Sequence, residues 1–118
     1  PEQSHAAIRS HLAGYLGDDV TLSPVIDAQG VLTDPANEWV QDIFGIMSGI
    51  LGKRPEAHTA SYFTDASALT PAYGGAPTVI LGPGEAAMAH QTDEYCVVDR
   101  IVEAVEAYTQ IGKRWNDL

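Results

Sequence analysis

Cysteine is nearly absent from this 118-residue sequence, where Cys96 stands alone. One thiol excludes an intramolecular disulfide and a Cys-based zinc knuckle. Cations are also scarce: Lys plus Arg number 6 against 16 Asp plus Glu, giving a formal net charge of −10. That balance repels a phosphate backbone unless the cations cluster. Arg9, Lys53, Arg54, Arg100, Lys113 and Arg114 are instead scattered, so no nucleic-acid partner is expected. No apolar run reaches the roughly 18 residues of a transmembrane helix. No basic-then-apolar amino terminus marks a secretory signal, and no membrane partner is expected. An initiator Met is missing too, since the chain opens Pro1-Glu2-Gln3. Trimming would account for that, as would a start inside a longer protein, which the organisation below favours.

What is present suits a folded protein. Hydrophobic residues make up 45% and charged residues 19%, a balance that argues against disorder. The length fits one domain or a piece of a larger one. Ser4 is placed to cap a first helix whose stripe is Ile8, Leu12, Tyr15 and Leu16, with Gly17 ending it. Val20, Leu22 and Val25-Ile26 then read as a strand, which Pro24 confines to an edge or a bulge. Asp34 as cap and Pro35 at the first helical position predict a second helix. Its apolar face is Trp39, Val40, Ile43, Phe44, Met47, Ile50 and Leu51, and Gly52 and Pro55 stop it. A strand near His58–Phe63 and a short helix over Ala66–Ala72 follow, then a break at Gly74-Gly75. Thr78-Val79-Ile80-Leu81 suits a strand buried on both faces. The last helix carries Val97, Val98, Ile101, Val102, Val105, Tyr108 and Ile111 on its apolar side, with Lys113 and Arg114 near its end. This alternation predicts an α/β fold, part of a doubly wound, largely parallel sheet, with a boundary near Thr33–Asp34.

In an open parallel sheet, ligands bind beyond the carboxyl ends of the strands. Ser61–Asp65 and Gly82-Pro83-Gly84-Glu85 fall there, and His90 lies in the loop leaving the second. His90 and Glu94 form His-x-x-x-Glu. An imidazole in such a loop is either a transition-metal ligand or an ordinary hydrogen-bonded loop residue, with Glu94 complementing a helix N-terminus. Spacing alone favours the second reading. Asp65 is a ligand, a general base or a helix cap, and Thr-Asp-Ala-Ser favours the cap. His5, His11 and His58 read as solvated or unpartnered. Cys96, expected in the first turn of the last helix, reads as structural, because no His accompanies it. Ser61 and Ser67 lack a nucleophile-elbow context, and Gly82-Pro83-Gly84 lacks the Lys-Ser/Thr of a phosphate loop.

The strings themselves say more. Ser61-Tyr62-Phe63-Thr64-Asp65-Ala66-Ser67, then Pro77-Thr78-Val79-Ile80-Leu81-Gly82-Pro83-Gly84-Glu85, then Ala89-His90-Gln91-Thr92-Asp93-Glu94-Tyr95 resemble the carboxyl-terminal part of the M20 metallopeptidase family. That family includes acetylornithine deacetylases, succinyl-diaminopimelate desuccinylases, carboxypeptidases and aminoacylases. The chain looks most like the bacterial deacetylase/desuccinylase branch. The resemblance spans nearly the whole chain and is most specific over Ser61–Tyr95. It implies that residues 1–33 end an α+β lid, or dimerisation, domain and that residues 34–118 return to a catalytic α/β domain.

The activity so implied is hydrolysis of the amide bond of N-acyl amino acids or small peptides by a metal-activated water. The family site holds two divalent metals, usually zinc, and His90 matches its last metal ligand. The other ligands and the general base belong to an upstream part, so the resemblance puts no catalytic residue and at most one metal ligand on this chain. Tyr62, Phe63, Thr64, Gly82 and Gly84 are the expected substrate-binding residues. Tyr62 and Phe63 stand where family members often carry small residues, which changes the pocket. Asp65 is expected to order this loop and Glu94 to orient the segment beside His90. The implied partners are the substrate, the upstream part of the same enzyme and further copies in a homo-oligomer, in the cytoplasm. The reading outside this family is a non-catalytic α/β module that binds or self-associates.

Overall fold

Local capping chemistry sets the first helix, α1, over His5–Leu16. The Ser4 hydroxyl accepts from Ala7 N–H at 3.2 Å, and Gly17 closes the helix at φ 77°, a left-handed backbone that costs glycine little. The structure, a computed structural model, describes residues 4–116. The remaining helices are α2 (Glu38–Leu51), α3 (Ala66–Ala72) and α4 (Val98–Asn116), with one 3₁₀ turn at Ala86–Met88. None of the described helices is long and apolar enough to cross a membrane. By contacts the chain divides into two units: the stretch up to Leu32 with Thr64–Ala76, and Thr33–Phe63 with the stretch from Pro77 onward.

The expected α/β fold is overturned. Among the described residues every regular element is helical and no strand forms. That correction covers the doubly wound sheet and the strand expected at the end of an α+β lid. It applies to Val20–Ile26, His58–Phe63 and Ala76–Leu81 alike. The physical reason is that a strand exists only by pairing, since its backbone groups need a neighbouring ladder. Apolar, β-branched composition supplies the tendency but not the neighbour. At Thr78 a side chain takes that role: Thr33 Oγ1 donates to Thr78 C=O at 2.8 Å and accepts from Thr78 N–H at 2.9 Å. The expected burial on both faces is also absent, for Ile80 is 51% exposed.

In the first unit, Ile8 and Leu12 of α1 line a shallow groove with Leu22, Pro24 and Ile26. Asp27 sits at its edge and accepts from both His5 Nδ1–H and the Arg9 guanidinium. His5 is thus a paired residue, not the solvated one the sequence suggested, whereas His11 is exposed as expected. The hydrogen bond from His5, then that from Arg9, holds the Asp27 carboxyl below its ordinary range. A carboxylate with a depressed folded-state pKa stabilises the fold above its unfolded pKa of about 3.9. That contribution is lost as pH falls through the folded value. The thermal midpoint should therefore drop on acidification below about pH 4, and Asp27→Asn should remove part of the dependence. A midpoint-versus-pH series on both chains checks this; superimposable curves would contradict it.

Also in the first unit, α3 begins and ends where the sequence predicts, but Asp65 does not cap it through its side chain. Thr64 does: its Oγ1 accepts from Ala66 N–H at 3.3 Å, and its carbonyl accepts from the Ser67 hydroxyl at 2.9 Å. The Asp65 carbonyl instead accepts the N–H groups of Ala68 and Leu69. Gly74 and Gly75, both at positive φ, turn the chain away.

In the second unit, α2 starts one turn later than Asp34-Pro35 suggests. The Asp34 carboxylate accepts from Ala36 N–H at 2.8 Å and so makes a separate turn. Asn37 then caps α2 by accepting from Trp39 N–H at 3.0 Å. Two Asx residues compete here, and the second adjoins the apolar run. α2 packs on α4, burying Val40, Ile43 and Ala107. The rings of Trp39 and Trp115 meet edge to face at 5.5 Å, and Arg114 Nε donates to Asp42 at 2.9 Å. The buried side of α4 differs from the expected apolar side. Ala107 is 1% exposed, while Val98, Val102 and Val105 are 72%, 65% and 61% exposed. Alanine lets the two helix backbones approach closely; the valine row faces outward.

Candidate functional site

The loop bearing His90 is built from short turns. Met88 N–H donates to Glu85 C=O at 2.8 Å in the 3₁₀ turn, and Gln91 N–H donates to Met88 C=O at 3.2 Å. Glu94 N–H then donates to Gln91 C=O at 3.3 Å. The ends of the loop are tied by Cys96, whose Sγ–H donates to Pro83 C=O at 3.3 Å. Cys96 precedes α4, which begins at Val98, so its expected place in the first turn of that helix is corrected. It is free and exposed, and its role in this geometry is to join the Gly82-Pro83-Gly84 bend to the start of α4. Nothing in its sequence neighbourhood signals that tie.

His90 is exposed, with a left-handed backbone at φ 62°. Its N–H donates to Glu94 Oε2 at 3.1 Å. The structure therefore brings His90 and Glu94 together. Gly82 and Gly84 stand exposed at the foot of the same loop. Tyr62 is 37% exposed and Phe63 58%, in the same unit. Neither makes a hydrogen bond or ring contact with the His90 loop among the described residues. Thr64 is half-buried and Asp65 exposed, and both belong to the first unit. His58 is exposed and its Nδ1–H donates to Glu56 C=O at 3.1 Å.

The donor set does not hold a metal by itself. Among the described residues no three His, Cys, Asp or Glu side chains gather as a metal site. His90 offers one imidazole, and the Glu94 carboxylate is engaged by a backbone N–H. A tightly bound zinc needs three or four protein ligands, so these residues suffice for one corner of a site and not for a whole one.

Comparison with known proteins places the chain in a family of peptidases, which implies a hydrolase or peptidase class. It belongs to peptidase family M20/M25/M40, whose model matches residues 3–114. Members of this family are generally metal-dependent. No curated protein and no solved structure matches the chain.

Proposed function

We propose that this chain is the carboxyl-terminal part of a metal-dependent amidohydrolase of the deacetylase/desuccinylase branch. The enzyme hydrolyses N-acyl amino acids or small peptides, with zinc as the metal. The observation that carries this reading is the joint occurrence of Thr-Asp-Ala, Gly-Pro-Gly and Ala-His-x-x-x-Glu within the family match, with His90 exposed on a loop tied at both ends. His90 contributes one neutral imidazole to a site completed by upstream residues. Tyr62 and Phe63, with Gly82 and Gly84, contact the substrate. Asp65 orders that loop. Residues 1–33 belong to the lid domain and residues 34–118 to the catalytic domain. The complete enzyme is a cytoplasmic homo-oligomer.

No catalytic step is assigned to residues of this chain. The isolated chain should accordingly show no turnover of N-acetyl or N-succinyl amino acids, with or without added zinc. The complete enzyme should hydrolyse one of them, lose that activity to a chelator and regain it with zinc. Chelator-sensitive turnover by the isolated chain would contradict the division of labour, and a chelator-insensitive complete enzyme would contradict the metal. The outward valine row on α4 favours one other reading, a non-catalytic self-associating module. Absence of amide hydrolysis in the complete protein, with concentration-dependent light scattering, would decide for it.

A further inference from the structure

His90 carries a conformation that a non-glycine residue adopts at a cost. Its φ of 62° lies in the left-handed region, where the Cβ of an L-residue crowds the following carbonyl. Asp93, three residues on, has the same φ of 62°. The two frame a double turn in which Gln91 N–H reaches Met88 C=O and Glu94 N–H reaches Gln91 C=O. The Glu94 carboxylate closes the arrangement by accepting His90 N–H at 3.1 Å. The direction of the Cα–Cβ bond follows from the backbone, so whatever fixes φ at this residue also aims the imidazole.

A histidine that serves a metal is ordinarily held by its second ring nitrogen, which donates to a carboxylate or a carbonyl. That handle is not in use here. The His90 ring makes no hydrogen bond among the described residues, while the Glu94 carboxylate bonds the backbone of the same residue. From this we infer that Glu94 is the positioning residue of His90, acting through the backbone N–H and not through the ring. It holds the left-handed conformation that presents the imidazole. Two properties follow. Any side chain at position 94 that keeps an acceptor oxygen at the same reach preserves the conformation. One that removes the acceptor releases His90 to the ordinary right-handed or extended regions. The inference rests on the reading of His90 as a metal ligand for its consequence, but not for its geometry.

The test uses Glu94→Ala and Glu94→Gln, each in the full chain and in the complete enzyme. In the isotopically labelled chain, a left-handed His90 gives a strong intraresidue Hα–HN nuclear Overhauser effect. Wild type and Glu94→Gln should show it and Glu94→Ala should not. In the complete enzyme, zinc affinity should fall about 10- to 100-fold in Glu94→Ala and return towards wild type in Glu94→Gln. Persistence of the left-handed signature in Glu94→Ala would overturn the inference. So would failure of Glu94→Gln to restore it. If Glu94→Ala loses the signature yet binds zinc like wild type, while His90→Ala does not, the positioning role falls and His90 stands as a ligand. If His90→Ala also binds zinc unchanged, the ligand reading falls, and the Overhauser signature alone still decides whether Glu94 sets the His90 backbone.

Discussion

In the complete enzyme, His90→Ala should lower the zinc content and remove most amide-hydrolysing activity. The expected loss is large because partners that merely orient a ligand are already worth roughly 10- to 100-fold in metal affinity or activity. Removing the ligand itself should cost at least about that much. The structure argues that the loss would be local. His90 is exposed and lies on a loop whose ends are tied by Cys96 and Pro83, not by the imidazole. Far-ultraviolet circular dichroism should therefore match wild type, while elemental analysis of the dialysed enzyme shows the deficit. Unchanged zinc stoichiometry would count against the ligand assignment, and a collapsed spectrum would point to folding instead.

The second large effect concerns stability. Ile43→Ala should destabilise the α2–α4 unit by about 2–5 kcal/mol, the range for truncating a buried aliphatic side chain to alanine. Ile43 is 3% exposed, and it shares the contact with Val40 and Ala107, which are 3% and 1% exposed. With total stabilities of about 5–15 kcal/mol typical of small domains, such a loss is a large fraction of the whole. Val105→Ala supplies the contrast. Val105 is 61% exposed, so its truncation should change stability by no more than about 0.5 kcal/mol. Urea unfolding followed by tryptophan fluorescence distinguishes them, because Trp39 and Trp115 lie at this same contact. Equal midpoint shifts for the two variants would show that α2 and α4 are not packed as described.

The parts of the fold legible in the sequence are those decided within a few residues. Ser4 and Gly17 bracket α1, and Gly74-Gly75 closes α3, because a hydroxyl acceptor and a left-handed glycine act on the nearest turn, although at the start of α3 the acceptor is Thr64 and not the Asp65 the sequence favours. That the three expected strands do not form was not legible, since pairing is decided far away in sequence. Val79, Ile80 and Leu81 carry the same apolar signal whether or not a ladder exists beside them. On α4 the count of apolar residues pointed to the valines, but closeness of approach favoured Ala107. At the candidate site, the family strings pointed to His90 and Glu94, and spacing alone could not say which atom Glu94 would serve. The left-handed φ of His90 has no marker in its residue type, whereas a glycine there would have announced it.

The outward valines of α4 also govern how the protein behaves in solution. Near neutral pH a net charge of −10 keeps copies apart at long range, which offsets the tendency of apolar rows to meet. That repulsion reaches only about 8 Å at physiological ionic strength. It vanishes at the isoelectric point near 4.5. Colloidal behaviour is therefore set by salt and acidity together, with the densest, least soluble condition expected where the carboxylates begin to take up protons.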